Sequence, residues 1–309
     1  MSVELETAAP AAPAPPTADP HAAMPTTGPY AGHLHFDGTV APVLRTEVDV
    51  AAYVRRGTGR LPVDTGALAE AGSPAAPLRL ALGMLQRLEA SALAESRTML
   101  ATATGNEARI TAFLATWLVD RFWQSRALRD VLTGDHPVQR PQPVHRPGPV
   151  HTLRRLHVDR VQPLLSPLWT GLAGEAVAAG HMARMAIQEA SLHTALTALG
   201  ERLDGEAGRV AREVAGRHEA AVEFFTAEAI ARVTRSRREA VTARAVLAAG
   251  SPLEGGHLPD PDLRPALAVL AAEPRHRAAL LRARYEITRL LPGPVTSDPH
   301  LRSLPRTEE

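Results

Sequence analysis

The sequence contains no cysteine and no lysine. Without thiols there is no disulfide, no thiolate metal site and no cysteine nucleophile. The missing lysine makes all 34 basic residues arginine, a bias that, with the abundance of Ala and Pro, reflects GC-rich coding more than function. Aromatic residues are scarce at 4%, and the dominance of Ala and Leu favours helices over sheets. A formal charge of +1 leaves no global field to steer nucleic acid or a membrane surface to the protein. No apolar run is long enough to span a bilayer, and the start of the chain lacks the basic and apolar regions of a signal peptide. The expected location is therefore the cytoplasm. A Gly-rich phosphate loop, a dinucleotide-binding fingerprint and a recognisable Ser-His-Asp arrangement are also missing.

With 309 residues, 45% apolar and 22% charged, the chain is long enough to bury one large core or two small ones. Residues 1–29 are rich in Ala, Pro and Thr without periodicity and read as a disordered tail. Residues 30–77 read as an irregular arm with a helical turn or two, and residues 78–249 as the helical body. Residues 250–293 form a C-terminal helical extension, and 294–309 a tail.

Within the body the apolar periodicity marks four long helices, each interrupted by a polar side chain on its buried line. The first runs from about Pro77 to Thr104, with Leu85, Leu88, Ala92, Glu95 and Met99 on one face. The second follows Gly105-Asn106, with Ile110, Phe113, Trp117, Arg121, Gln124, Leu128 and Val131 in line. A Pro- and His-containing loop from Gly134 to Pro149 and a short helix over about His151 to Leu165 lead to the third. There Met182, Met185, Glu189, Leu192, Leu196, Leu199 and Leu203 recur at 3 and 4 spacing. The fourth spans about Arg209 to Arg235, with Val214, His218, Ala221 and Phe225 inside; "RSRREAVTARAVL" continues or restarts it. Two hairpins and one long crossover make this a ferritin-like four-helix bundle.

A single polar interruption is ordinarily a snorkelling or internally satisfied side chain. Glu95, Arg121 with Gln124, Glu189 and His218 at a common depth point instead to a site. Glu189 in particular needs a partner, because an isolated carboxylate is costly to bury.

The segment "FLATWLVDRFWQSRAL" is similar to the "W..EEFWHG.AL" segment of ferritin-like diiron proteins related to acyl-carrier-protein desaturases. "GHMARMAIQEASLHTALTAL" resembles that family's "HMTWGAINELTTL..YRRL" helix. "FFTAEAIARVTRSRREAVTARAVL" and "YEITRLLPG" resemble its later segments, so that the likeness covers roughly residues 78–293. The family holds two irons with one Glu on each of two helices and a Glu-x-x-His on each of the other two. Carried across, Glu189 is retained, and Glu95 or Glu89 stands for the first acid. The first Glu-x-x-His becomes Arg121-Phe122-Trp123-Gln124. The second becomes His218-Glu219-Ala220-Ala221, or in another register Ala215 with His218. Both pairs are broken.

Arg121 sharpens the loss, since a guanidinium cannot ligate a metal but offers a planar fork to Glu189 or Glu95. The expectation is that an organic cation has replaced the metal ions; the plainer alternative turns Arg121 to the bundle surface. The first functional expectation is thus a metal-independent descendant with no cofactor. It would be a small-molecule binding protein, a pseudoenzyme partner of an active homologue, or an enzyme reusing Glu189, His218, Arg121 and Gln124. A small-molecule or acyl-type ligand would lie in the bundle core near Met182, Met185, Trp117, Phe113 and Phe225. The alternative is an oxidase or desaturase with one iron or manganese on Glu95, Glu189 and His218. A third is a purely structural module. The resemblance also implies a homodimer. Weaker candidates are His193, a loop cluster of His136, His145, His151 and His157, and a basic run of Arg232, Arg235, Arg237 and Arg238 that could face an acidic partner.

Overall fold

The computed structural model describes residue 31 and residues 44–134, 142–145, 174–255, 260–295 and 298–304. The expected N-terminal tail, the short helix over 151–165 and the last five residues lie outside them. Among the described residues all regular structure is helical and no strand forms. No helix among the described residues is long and apolar enough to cross a membrane.

The arm carries α1 (Val50–Arg55) and α2 (Thr65–Ala71). Each is opened by an aspartate, Asp49 or Asp64, whose side chain accepts from the N–H of Ala52 or Ala67, meeting one of the unpaired donors of a helix start. The single helix expected from Pro77 to Thr104 is two, α3 (Ala76–Ala90) and α4 (Ala92–Leu100), followed by a 3-10 turn over Ala103–Asn106. The joint has a cause. Ser91 Oγ donates to the Leu88 carbonyl at 2.7 Å, and Arg121 Nη2 donates to the same oxygen at 2.8 Å. A carbonyl drawn aside by side-chain donors bends the helix that carries it.

The second helix, α5 (Ala108–Thr133), is unbroken. The central helix is α6 (Val177–Gly200), followed by α7 (Gly205–Arg217), α8 (Glu219–Arg235) and α9 (Arg237–Ala249). The expected fourth helix is therefore divided at His218, whose N–H bonds the Ala215 carbonyl three residues back at 3.1 Å, a 3-10 contact. The extension forms α10 (Leu263–Leu270) and α11 (Pro274–Thr288), and the supposed tail holds a further turn, α12 (Pro299–Arg302).

In the packing, α3 lies on α5, α5 on α7, α7 and α8 on α6, and α6 on α3; α9 and α11 cover α6, and α10 lies on α3. With neighbours on so many sides, α6 buries 17 of its 24 residues, more than an amphipathic stripe needs. Its small residues permit this. A Cβ at Gly180 would stand 2.5 Å from Val246 Cγ2, so α9 can approach only because the side chain is missing.

The core falls into two apolar halves. One gathers Leu85, Leu88, Ala127, Leu192 and Ala215. The other gathers Ala92, Trp117, Ile187, Ala221 and the stacked rings of Phe113 and Phe224. Each column crosses between the halves at the same level: Leu88 to Ala92, Trp117 to Ala127, Ile187 to Leu192, Ala215 to Ala221. The residues in the gaps include Glu89, Arg121, Gln124, Glu189 and His218, all buried.

Candidate functional site

Four of these side chains close a ring. Glu189 on α6 reaches Arg121 Nη1 with Oε1 and His218 Nδ1, at 2.6 Å, with Oε2. Glu89 on α3 contacts Arg121 Nε with Oε2 at 2.5 Å and His218 Nε2 with Oε1 at 2.6 Å. The Arg121–Glu89 contact is ionic rather than directional, because its N–H is not aligned as a hydrogen bond. Trp117 Nε1 donates to Glu189 Oε1 at 3.2 Å, and the Arg121 guanidinium lies 5.3 Å from the Trp117 ring centre. No ring member exceeds 1% exposure.

The two joints described above are what place the ring. At the joint between α3 and α4, Arg121 holds the end of α3 by the Leu88 carbonyl. Interrupting the helix at His218 frees that imidazole to stand between two carboxylates.

The protonation states follow from the distances. Both His218 nitrogens face carboxylate oxygens, which only accept, so both must carry a proton or a carboxylate must take one. Burial pushes His218 down, but Glu89 and Glu189 outweigh it and raise the imidazole to about 9. Burial opposes the charge of Arg121 in the same way, and Glu89, Glu189 and Glu95 overcome it. Glu189 is held below the usual carboxylate range against the pull of burial, by Arg121 first and His218 second. Two anions and two cations thus give a neutral ring.

Sequence-predicted residues divide accordingly. Arg121, Glu189 and His218 meet, and Arg121 does not turn to the surface. Glu89, offered only as the alternative to Glu95, is the first-helix acid of the ring. Glu95 is also buried, but beside it: Oε1 accepts from Gln188 Nε2 at 2.7 Å and lies 3.1 Å from Ser91 Oγ. Gln124 is buried in the same layer, and its Oε1 has no hydrogen-bond partner among the described residues. His193 is half-buried and outside the ring; burial and then the charge of His218 push its pKa down. Met182, Met185, Phe113 and Phe225 are close-packed core residues.

One weaker reading is corrected. Arg232 does not face an outside partner. It is 1% exposed and bonds Glu107 at 2.7 Å and Glu228 at 3.2 Å. Arg109 and Thr46 complete this second ionic cluster on Glu228, which the sequence reading missed because its members lie on separate helices and an arm. Of the four loop histidines, His145 lies among the described residues, where it meets an acid of the C-terminal extension. Its ring and backbone N–H, with the N–H of Val144, hold the carboxylate of Asp262, which also meets Arg87. His136, His151 and His157 lie outside the described residues.

The ring does not fit the metal centre that the resemblance implies. A metal-binding imidazole must offer a nitrogen lone pair, and both His218 nitrogens are instead committed to carboxylate oxygens at 2.6 Å, as donors of an imidazolium. Arg121 already places a fixed positive charge against both carboxylates. No known protein family, curated protein or solved structure matches this chain.

Proposed function

We propose that this protein is a metal-independent ferritin-like four-helix bundle. Arg121 and His218 supply the positive charge that metal ions supply in the proteins it resembles, and the protein works by binding rather than oxidation. The observation that carries this reading is the closed ring: each oxygen of Glu89 and Glu189 already contacts a cationic nitrogen. Such a ring has no open position to offer a substrate or oxygen. The cyclic contact order of α3, α5, α7 with α8, and α6 supports the bundle architecture, as does the polar layer at a common depth. The ring's role is then to fix register between four helices, a recognised use of buried polar groups.

The partners this reading calls for are a small-molecule or acyl-type ligand and a second copy or an active homologue. Val119 and Phe122, 52% and 58% exposed on α5, supply apolar surface on that side. The experiment is aerobic addition of Fe(II) to the purified chain, following ferric absorbance. The expected trace matches buffer alone. Oxidation faster than buffer that disappears in Glu189→Gln would overturn the proposal in favour of an oxidase.

A further inference from the structure

The C-terminal helices carry a groove of about 380 Å³ made from none of the ring residues. Ala278, Leu281 and Tyr285 line it from one face of α11, and Val295 completes the wall. Leu281, Tyr285 and Val295 are 39%, 51% and 52% exposed, an unusual concentration of open apolar surface for one short stretch. Its polar lining is Arg282, Arg284 and Thr288, with no acid among the described lining residues.

The groove is also braced. Arg284 is buried with Nη1 3.2 Å from Asp298 Oδ2, which accepts from Ser251 Oγ at 2.6 Å. Burial pushes the Arg284 pKa down; Asp298 opposes this, and the nearby Arg302 adds to it. The wall bearing Val295 is tied to α9, where Arg244 Nη1 donates to the Pro294 carbonyl at 2.9 Å. Gly293, at φ +89°, lets the turn lie against that guanidinium.

We propose that this groove binds a small amphipathic carboxylate, with its hydrocarbon or aryl part against Leu281, Tyr285 and Val295 and its carboxylate on Arg282. A neutral hydrocarbon would leave the guanidinium unused, and inorganic phosphate would leave the apolar wall uncovered; an apolar acid satisfies both. The proposal does not rest on the reading of the ring, and the iron experiment has no bearing on it.

Calorimetric titration of the full chain with sodium decanoate and sodium 2-naphthoate tests it. The expected result is saturable binding at one site per chain, weakened roughly tenfold or more by Arg282→Glu and by Leu281→Ser. 2-Naphthol, which has the aryl shape without the charge, should bind correspondingly worse. Both substituted side chains are exposed, so the variants should melt like the parent. Absence of saturable binding by either acid would overturn the proposal, as would binding that both variants leave unchanged.

Discussion

Arg121→Met is expected to lower the stability of the protein by about 3–5 kcal/mol, because it strips one cation from a buried neutral ring and leaves an uncompensated negative charge. Methionine keeps most of the volume, so cavity formation is a minor part of the effect. The charge argument makes a sharper prediction for the double variant. In Glu89→Gln/Arg121→Met the ring retains Glu189 and His218, one anion and one cation, and returns to neutrality. The double variant should therefore be more stable than Arg121→Met alone, although it carries an additional change. Thermal melts at fixed pH check this. At roughly 2–4 °C per kcal/mol for chains of this size, Arg121→Met should melt about 10 °C below the parent, with the double variant in between. Equal melts for parent and Arg121→Met would mean the guanidinium is not charge-compensating Glu89 and Glu189.

The second large effect is in alkali. His218 titrates at about 9 in the folded chain and at about 6.5 when unfolded. A raised pKa gives stability that is complete below the unfolded value and lost as pH climbs through the folded one. The loss should therefore run from about pH 6.5 to 9 and reach on the order of 3 kcal/mol, from 1.36 kcal/mol per pKa unit. On the acid side the signs reverse. His181 is pushed down to about 4 by burial and then by Arg184, so its contribution is complete above about 6.5 and declines as pH falls. Glu189, held low, loses its contribution further into acid. Stability should peak near pH 6.5. Denaturant midpoints measured from pH 5 to 9.5 check the curve, and His218→Gln should be less stable but nearly flat between pH 6.5 and 9. An alkaline loss that persists undiminished in His218→Gln would place the titrating group elsewhere.

The buried line of each helix was legible because apolar spacing of 3 and 4 survives a single polar interruption. Leu85, Leu88, Ala92, Glu95 and Met99 are all buried as the periodicity requires. Glu189's need for a partner was legible from the cost of burying a carboxylate, and the guanidinium and imidazole that meet it were among the candidates. The choice between Glu89 and Glu95 was not. Both lie on the buried side of the first helix, and what separates them is the helix break at Ser91, where the Leu88 carbonyl accepts from Ser91 and from Arg121, a residue 33 positions away in sequence. The interruption at His218 is of the same kind, since its neighbours "VAGRHEAAV" are compatible with uninterrupted helix and only the two carboxylates hold the ring in place. The Arg232 cluster escaped notice because cations near a helix end are favourable for local reasons. Nothing nearby in sequence shows that Glu107 and Glu228 enclose this one.

The central claim is that protein cations, rather than metal ions, neutralise Glu89 and Glu189. Elemental analysis tests it most directly: express the chain with ample iron and manganese, purify without chelator, and determine metal per chain for the parent, Glu189→Gln and His218→Gln. The account predicts metal well below stoichiometric in all three. Near-stoichiometric iron or manganese in the parent, lost on either substitution, would contradict it.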